Sequence, residues 1–189
     1  QLDESDIVNP RGWVLLGFIM DPRTGLGRYR GYRISNYDFM EDMIEYCRSM
    51  DVDEILELFD VSERVDIYRQ DAEPFRQMIM DNSKVHGRLV VTDLRGQTDI
   101  FAGNRFMIYT MYPQCNLSAQ IMWGMRRQNT VMTVGYSVLN RSCKVNVGSV
   151  MLKYGGGGHP QVGTCQISNE NVEERLGEII GELVALNAE

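Results

Sequence analysis

The spacing of apolar positions changes partway along this chain. Up to about residue 84 it is helical. Residues 10–20, PRGWVLLGFIM, predict a buried helix, with Pro10 suited to its first turn. The stretch 21–34, DPRTGLGRYRGYRI, has no period and is rich in Gly and Arg, which predicts a loop. Ser35 and Asn36 then offer an N-cap to a helix whose apolar face is Met40, Met43, Ile44 and Cys47. A short helix is expected over 52–59 and a longer one from Ser62. Val61, Val65, Tyr68, Ala72, Phe75 and Ile79 follow steps of four and three, a seam for one partner surface. Pro74 falls inside that seam and predicts a kink or break near Glu73.

From Val85 the texture is that of strands. GRLVVTDLRG (87–96) predicts a strand ending in a glycine turn, with TDIFAG (98–103) as its hairpin partner. NRFMIYTMYP (104–113) is short, apolar and ended by Pro113; we read it as a helix. CNLSAQIMWG and NTVMTVGYSVL predict two strands joined by the charged turn MRRQ. NVGSVMLKYG predicts a short helix anchored by Val147, Val150, Met151 and Tyr154; VGTCQI predicts a strand. A last helix over 170–186 carries Val172, Leu176, Ile179, Ile180 and Leu183 on one face. The order β-β-α-β-β-α-β-α predicts an α/β fold of α+β character, a mixed sheet with helices packed on it.

Composition narrows the partners. The chain has 189 residues, 43% of them hydrophobic, enough for a packed core. A formal net charge of -7 argues against general affinity for long duplex nucleic acid, where phosphate neutralisation dominates, but leaves room for a local basic pocket. The four cysteines are scattered, with no C-x-x-C pair, which favours reduced, mostly buried thiols and a cytoplasmic location over zinc or disulfides. No apolar run has the length of a membrane span, so no membrane partner is expected. The chain opens at Gln1 with QLDESDIVNP, which reads as a processed or truncated start.

The stretch LKYGGGGHPQVG (152–163) is the strongest chemical signal. One glycine, Gly155 or Gly156, suffices to stop the preceding helix in a left-handed cap. Four suggest a sharp turn whose open N–H groups form an anion-binding nest over Gly155, Gly156, Gly157 and Gly158, with His159 at its mouth. The plainer alternative is a flexible turn. No Lys-Ser or Lys-Thr follows, so it is not a P-loop, and it ends a helix rather than opening one, so it is not a dinucleotide fingerprint. Just upstream, Arg141 at a strand end offers a planar fork to a phosphate, with Ser142 and Lys144 beside it; the alternative for Arg141 is a solvated charge. Tyr136 and Tyr154 are candidates to stack a base, though core packing suits both.

The whole stretch RSCKVNVGSVMLKYGGGGHPQVG (141–163) resembles the signature of the DHH-associated domain, the C-terminal lobe of DHH-family phosphoesterases, in particular the exopolyphosphatase-related, nano-RNase-like branch. The resemblance implies that Arg141, Ser142, Gly155, Gly156, Gly157, Gly158 and His159 hold the phosphate and nucleotide end of a substrate. The family signature has two alanines and a glycine after the histidine; here Val162 and Gly163 follow PQ, so Val162 stands in place of a smaller residue. GFIMDPRTGLGRYRGYRISN (17–36) resembles the family's last metal-site motif and implies Asp21 as a metal ligand; a cap or salt-bridge partner is the alternative for that carboxylate. No Asp-His-His is present, and His86 reads as structural.

The resemblance implies three parts: 1–60 as the C-terminal remnant of a catalytic domain, 61–84 as a helical connector, and 85–189 as a DHH-associated substrate-binding domain, with the N-terminal catalytic region missing. It implies a hydrolase of short single-stranded oligonucleotides or nucleotide phosphates, in which manganese or magnesium polarises phosphorus for attack by water. Nano-RNA, cyclic-dinucleotide products, phosphoadenosine phosphate and polyphosphate all present a terminal phosphate. This chain alone is expected to bind no metal and to have negligible phosphodiesterase activity; a homodimer stays open. The competing reading is a non-catalytic nucleic-acid-binding module of the same type, and a third is an α/β piece whose glycines only turn.

Overall fold

The computed structural model describes residues 2–29 and 31–188. Gln1, Arg30 and Glu189, which fall in the expected chain ends and the Gly-Arg loop, lie outside the described residues. The described chain forms two compact units: residues 1–78 with 99–107, and 79–98 with 108–189.

The first unit is helical: α1 (Glu4–Val8), α2 (Gly12–Met20), α3 (Leu26–Tyr29), α4 (Asn36–Ser49), α5 (Val52–Glu57) and most of α6 (Phe59–Asp81). Its core gathers Leu15, Leu16 and Ile19 from α2 with Phe39, Met43, Ile55, Val61 and Val65. Ser35 caps α4 by accepting the Asp38 amide. The expected face of α4 needs correction. Phe39 and Met43 are buried, whereas Ile44 is 63% exposed and Cys47 is also exposed, so the stripe runs one position earlier.

Helix α6 continues through Pro74, contrary to the expected break. Proline removes the amide that would bond to the Gln70 carbonyl, and Gln70 is exposed, where water can take its place. The seam buries Val61, Val65, Tyr68, Phe75 and Ile79, but Ala72 faces out and Asp71 is buried in its stead. Asp71 Oδ2 accepts the Ala102 amide at 2.8 Å. This explains why TDIFAG is not a strand. Its backbone returns to the first unit, and a Cβ on Gly103 would lie 2.2 Å from the Phe75 ring, so only glycine lets the chain lie on α6.

The second unit holds, among the described residues, a six-stranded mixed sheet in the order β1-β2-β3-β4-β6-β5. Its strands are β1 (Ser83–His86), β2 (Leu89–Asp93), β3 (Leu117–Trp123), β4 (Thr130–Tyr136), β5 (Gly157–His159) and β6 (Val162–Ile167). The true hairpin partner of β2 is β1, which begins two residues after α6 ends. Strand β2 then runs parallel to β3 after a crossover through α7 (Met107–Met111), and the other pairs are antiparallel. Leu89, Val91, Leu117, Ala119, Ile121, Met132, Val134 and Cys165 turn inward on one face. Two helices cover that face: α8 (Val147–Lys153) with Val147, Val150 and Met151, and α9 (Val172–Leu186) with Leu176, Ile179 and Leu183. Burying each such side chain contributes about 1.5–3 kcal/mol. Among the described residues no helix is long and apolar enough to cross a membrane.

Candidate functional site

The four glycines do different things. Helix α8 ends in a Schellman motif. Gly155 takes φ +78°, its amide donates to the Leu152 carbonyl at 3.2 Å, and the Gly156 amide donates to the Met151 carbonyl at 2.9 Å. Gly156 has no room for a side chain, since a Cβ would lie 2.1 Å from the Thr164 carbonyl oxygen and 2.7 Å from Cys165 Cα. Gly158, at φ +155°, would put a Cβ 2.2 Å from the Val162 carbonyl oxygen. Gly157 differs from both: a Cβ there meets nothing within 4 Å.

The run is therefore not a closed nest. Gly157, Gly158 and His159 form β5, an edge strand pairing with β6 through a two-residue turn of Pro160 and Gln161. An edge strand directs alternate N–H groups away from its one neighbour. Close packing accounts for much of the crowding of glycines here. The hairpin also lies against α8, where a Cβ on Gly148 would come within 2.8 Å of the Gly158 and His159 carbonyl oxygens.

Backbone bonds bring the other predicted residues to the same end of the sheet. The Tyr136 amide donates to the Gln161 carbonyl at 3.0 Å, the Ser137 amide to Asn116 at 2.9 Å, and the Val147 amide to Pro160 at 2.9 Å. Arg141 and Ser142 sit in the irregular segment between Ser137 and Asn146, not at a strand end as expected, because β4 stops at Tyr136. Arg141 is exposed, and its Nε donates to the Val138 carbonyl at 3.1 Å, which holds the stem and leaves the outer fork facing solvent. His159 is exposed as well.

Sequence reasoning missed four polar residues at this end. Arg88, in the turn between β1 and β2, donates from Nη2 to the Ser142 hydroxyl. Asn116 Nδ2 donates to the same oxygen at 3.1 Å, and that hydroxyl in turn donates to Asn140 Oδ1 at 2.7 Å. Asn116 is fully buried and accepts from Asn187 Nδ2 at 2.7 Å, so the C-cap of α9 braces the network. A glycine-arginine pair in a strand-rich stretch was the available signal for Arg88.

Tyr136 and Tyr154 are engaged elsewhere. The Tyr136 hydroxyl donates to the Val145 carbonyl at 2.5 Å; burial and then Cys143 push its pKa up to about 12. The Tyr154 hydroxyl donates to Glu182 Oε2 at 3.0 Å, and both rings pack on the sheet core. His86 closes the β1–β2 hairpin opposite Leu89.

Asp21 lies in the first unit. Its carboxylate caps the 22–24 turn by accepting the Arg23 amide at 2.9 Å and takes the Arg23 guanidinium on both oxygens, at 2.7 and 2.9 Å. Arg105 Nε stands 3.6 Å away. Burial alone raises the Asp21 pKa, but the Arg23 hydrogen bonds and charge outweigh it and hold the group below the ordinary carboxylate value. Among the described residues no group of three or more His, Cys, Asp or Glu comes together to hold a metal ion. A carboxylate bound by two arginines does not by itself fit a cation, and no chemical step is assigned to a metal on these residues.

No family model matches the chain, and no curated protein does. Among solved structures, it matches a pGpG-specific phosphodiesterase, PggH from Vibrio cholerae, at 45% identity over 98% of its own length, with a TM-score of 0.86. The chain belongs to the DHH family. This DHH-family chain spans 62% of the length of PggH. An exopolyphosphatase-related protein from Bacteroides fragilis shares the fold at 14% identity and a TM-score of 0.52, over 81% of this chain and 44% of that one.

Proposed function

We propose that this chain supplies the phosphate-binding part of a DHH-family phosphodiesterase acting on short phosphorylated nucleotides, with pGpG the first substrate to test. The observation that carries this reading is the 45% identity to the pGpG-specific enzyme across 98% of the chain. The geometry supports it. Arg141 and His159 are exposed at one end of the sheet, beside an edge strand whose first residue, Gly157, leaves its surface bare. A terminal phosphate there takes charge-assisted bonds from the guanidinium, a hydrogen bond from the imidazole and one from an outward amide of β5. The acidic chain as a whole disfavours long duplexes, which fits a short single-stranded ligand.

The hydrolytic step belongs, in this reading, to a manganese- or magnesium-loaded centre that Asp21 alone does not make. The free cysteines, three of them buried, suit a cytoplasmic enzyme. The test is turnover of pGpG by the full-length protein with manganese, beside a longer single-stranded RNA. Hydrolysis of pGpG on the order of one per second or faster is expected, with negligible turnover by residues 1–189 alone. Binding of long RNA without any hydrolysis of pGpG favours a non-catalytic module instead.

A further inference from the structure

The Ser142 hydroxyl has no hydrogen-bonding capacity left for a ligand. A serine hydroxyl donates once and accepts twice. Here it donates to Asn140 and accepts from both Arg88 and Asn116. A phosphate oxygen needs a donor, and the single Ser142 proton is committed to Asn140 at 2.7 Å.

Arg88 is in the opposite position. Its Nη2 uses one N–H on Ser142, and its other guanidinium N–H groups have no partner among the described residues. The residue is exposed, yet its backbone is fixed. Gly87, at φ +62°, opens a two-residue turn closed by His86 and Leu89, the arrangement that follows the twist of a hairpin. The Arg88 carbonyl accepts the amides of Asn116 and Leu117 at 3.0 and 3.3 Å. Both ends of the residue are thus held by groups that meet the Arg141 segment, and a fork with several open donors is presented where an oxyanion is expected.

Resting on the phosphate-binding reading above, we infer that Arg88 is the second phosphate-binding arginine beside Arg141, and that Ser142 is a positioning residue acting through Arg88. Asn116, buried and braced by Asn187, fixes Ser142 in turn. Removing Ser142 frees the Arg88 side chain to sample other rotamers, so the loss is one of pre-organisation rather than of a contact.

The experiment is calorimetric titration of the full-length protein with pGpG and with GpG, which lacks the 5′-phosphate. Arg88→Ala is expected to weaken pGpG by roughly tenfold or more and to leave GpG within about twofold. Ser142→Ala weakens pGpG by a smaller factor, about three- to tenfold, and Ser142→Thr, which keeps the hydroxyl, restores it. The double variant Arg88→Ala/Ser142→Ala is no weaker than Arg88→Ala alone, since both act through one contact. Circular dichroism checks that each variant folds; if Arg88→Ala does not, Arg88→Lys keeps the charge, loses the fork and is expected to fall between. Wild-type affinity for pGpG in a folded Arg88 variant, or fully additive losses in the double variant, overturns the inference while the phosphate site itself stands. Failure of the wild-type protein to prefer pGpG over GpG overturns both.

Discussion

Adding one methyl group at each of Gly156, Gly157 and Gly158 separates packing from ligand binding within three consecutive residues. At Gly156 the new carbon lands 2.1 Å from a backbone oxygen and 2.7 Å from Cys165 Cα, both in the adjoining strand β6. Backbone yields poorly, so Gly156→Ala is expected to cost about 1–3 kcal/mol or more, the range for overpacking a closed site. Gly158→Ala meets the Val162 carbonyl oxygen at 2.2 Å and also forces a side chain into φ +155°, adding about 1–3 kcal/mol of backbone strain. Gly157→Ala meets nothing within 4 Å and should stay within about 0.5 kcal/mol of wild type. Urea titration followed by circular dichroism reads these differences as shifts in midpoint. The same proteins are then titrated with pGpG, with Gly157→Val added as the larger probe. The expected pattern is stable but binding-deficient at 157 and destabilised at 156 and 158. A Gly156→Ala protein as stable as wild type refutes the packing argument, and a Gly157→Val protein that binds normally refutes the placement of phosphate on β5.

Two further predictions concern the helical unit. Arg64 is 1% exposed, stacked 3.9 Å from the Tyr32 ring centre and 3.8 Å from that of Phe39, with Nη1 donating to the Asp60 carbonyl at 2.7 Å. Arg64→Ala removes this filling and should cost about 2–4 kcal/mol by thermal or urea denaturation; a loss below roughly 0.5 kcal/mol contradicts the reading. Asp21 has a depressed pKa when folded, so its contribution to stability is present above the ordinary carboxylate value of about 3.9 and fades as pH falls through the lower, folded value. Asp21→Asn should therefore be less stable than wild type near about pH 7 and converge with it in strong acid; a constant difference at all pH values argues against the Arg23 pairing as the cause.

The helical unit and most strands were legible because their signals are local. Ser35 does cap α4, the α6 seam does bury Val65 and Phe75, and the β3 and β4 runs alternate as strands should. What was not legible depended on tertiary partners. Nothing near Thr98 says that Ala102 will bond to Asp71, thirty-one residues away, so that stretch read as a strand. The glycines concealed β5, because glycine carries no strand propensity and only pairing with β6 extends it. Ala72 and Asp71 exchanged roles for the same reason: a buried acceptor was needed by a distant amide. At the candidate site the motif residues Arg141, Ser142 and His159 were readable, whereas Arg88 and Asn116 join them only through the sheet order.

In the proposed function a nucleotide phosphate binds at the end of the sheet where Arg141 and His159 are exposed. The most direct measurement is calorimetric titration of the full-length protein with pGpG, comparing wild type with Arg141→Ala and with His159→Ala, each checked for folding by circular dichroism. One charge-assisted hydrogen bond contributes about 1.5–3 kcal/mol, so Arg141→Ala should weaken binding roughly ten- to a hundredfold, with a smaller but measurable loss for His159→Ala. If both variants fold and bind pGpG with wild-type affinity, no phosphate is held there and the GGGGH segment serves only to close the hairpin against α8.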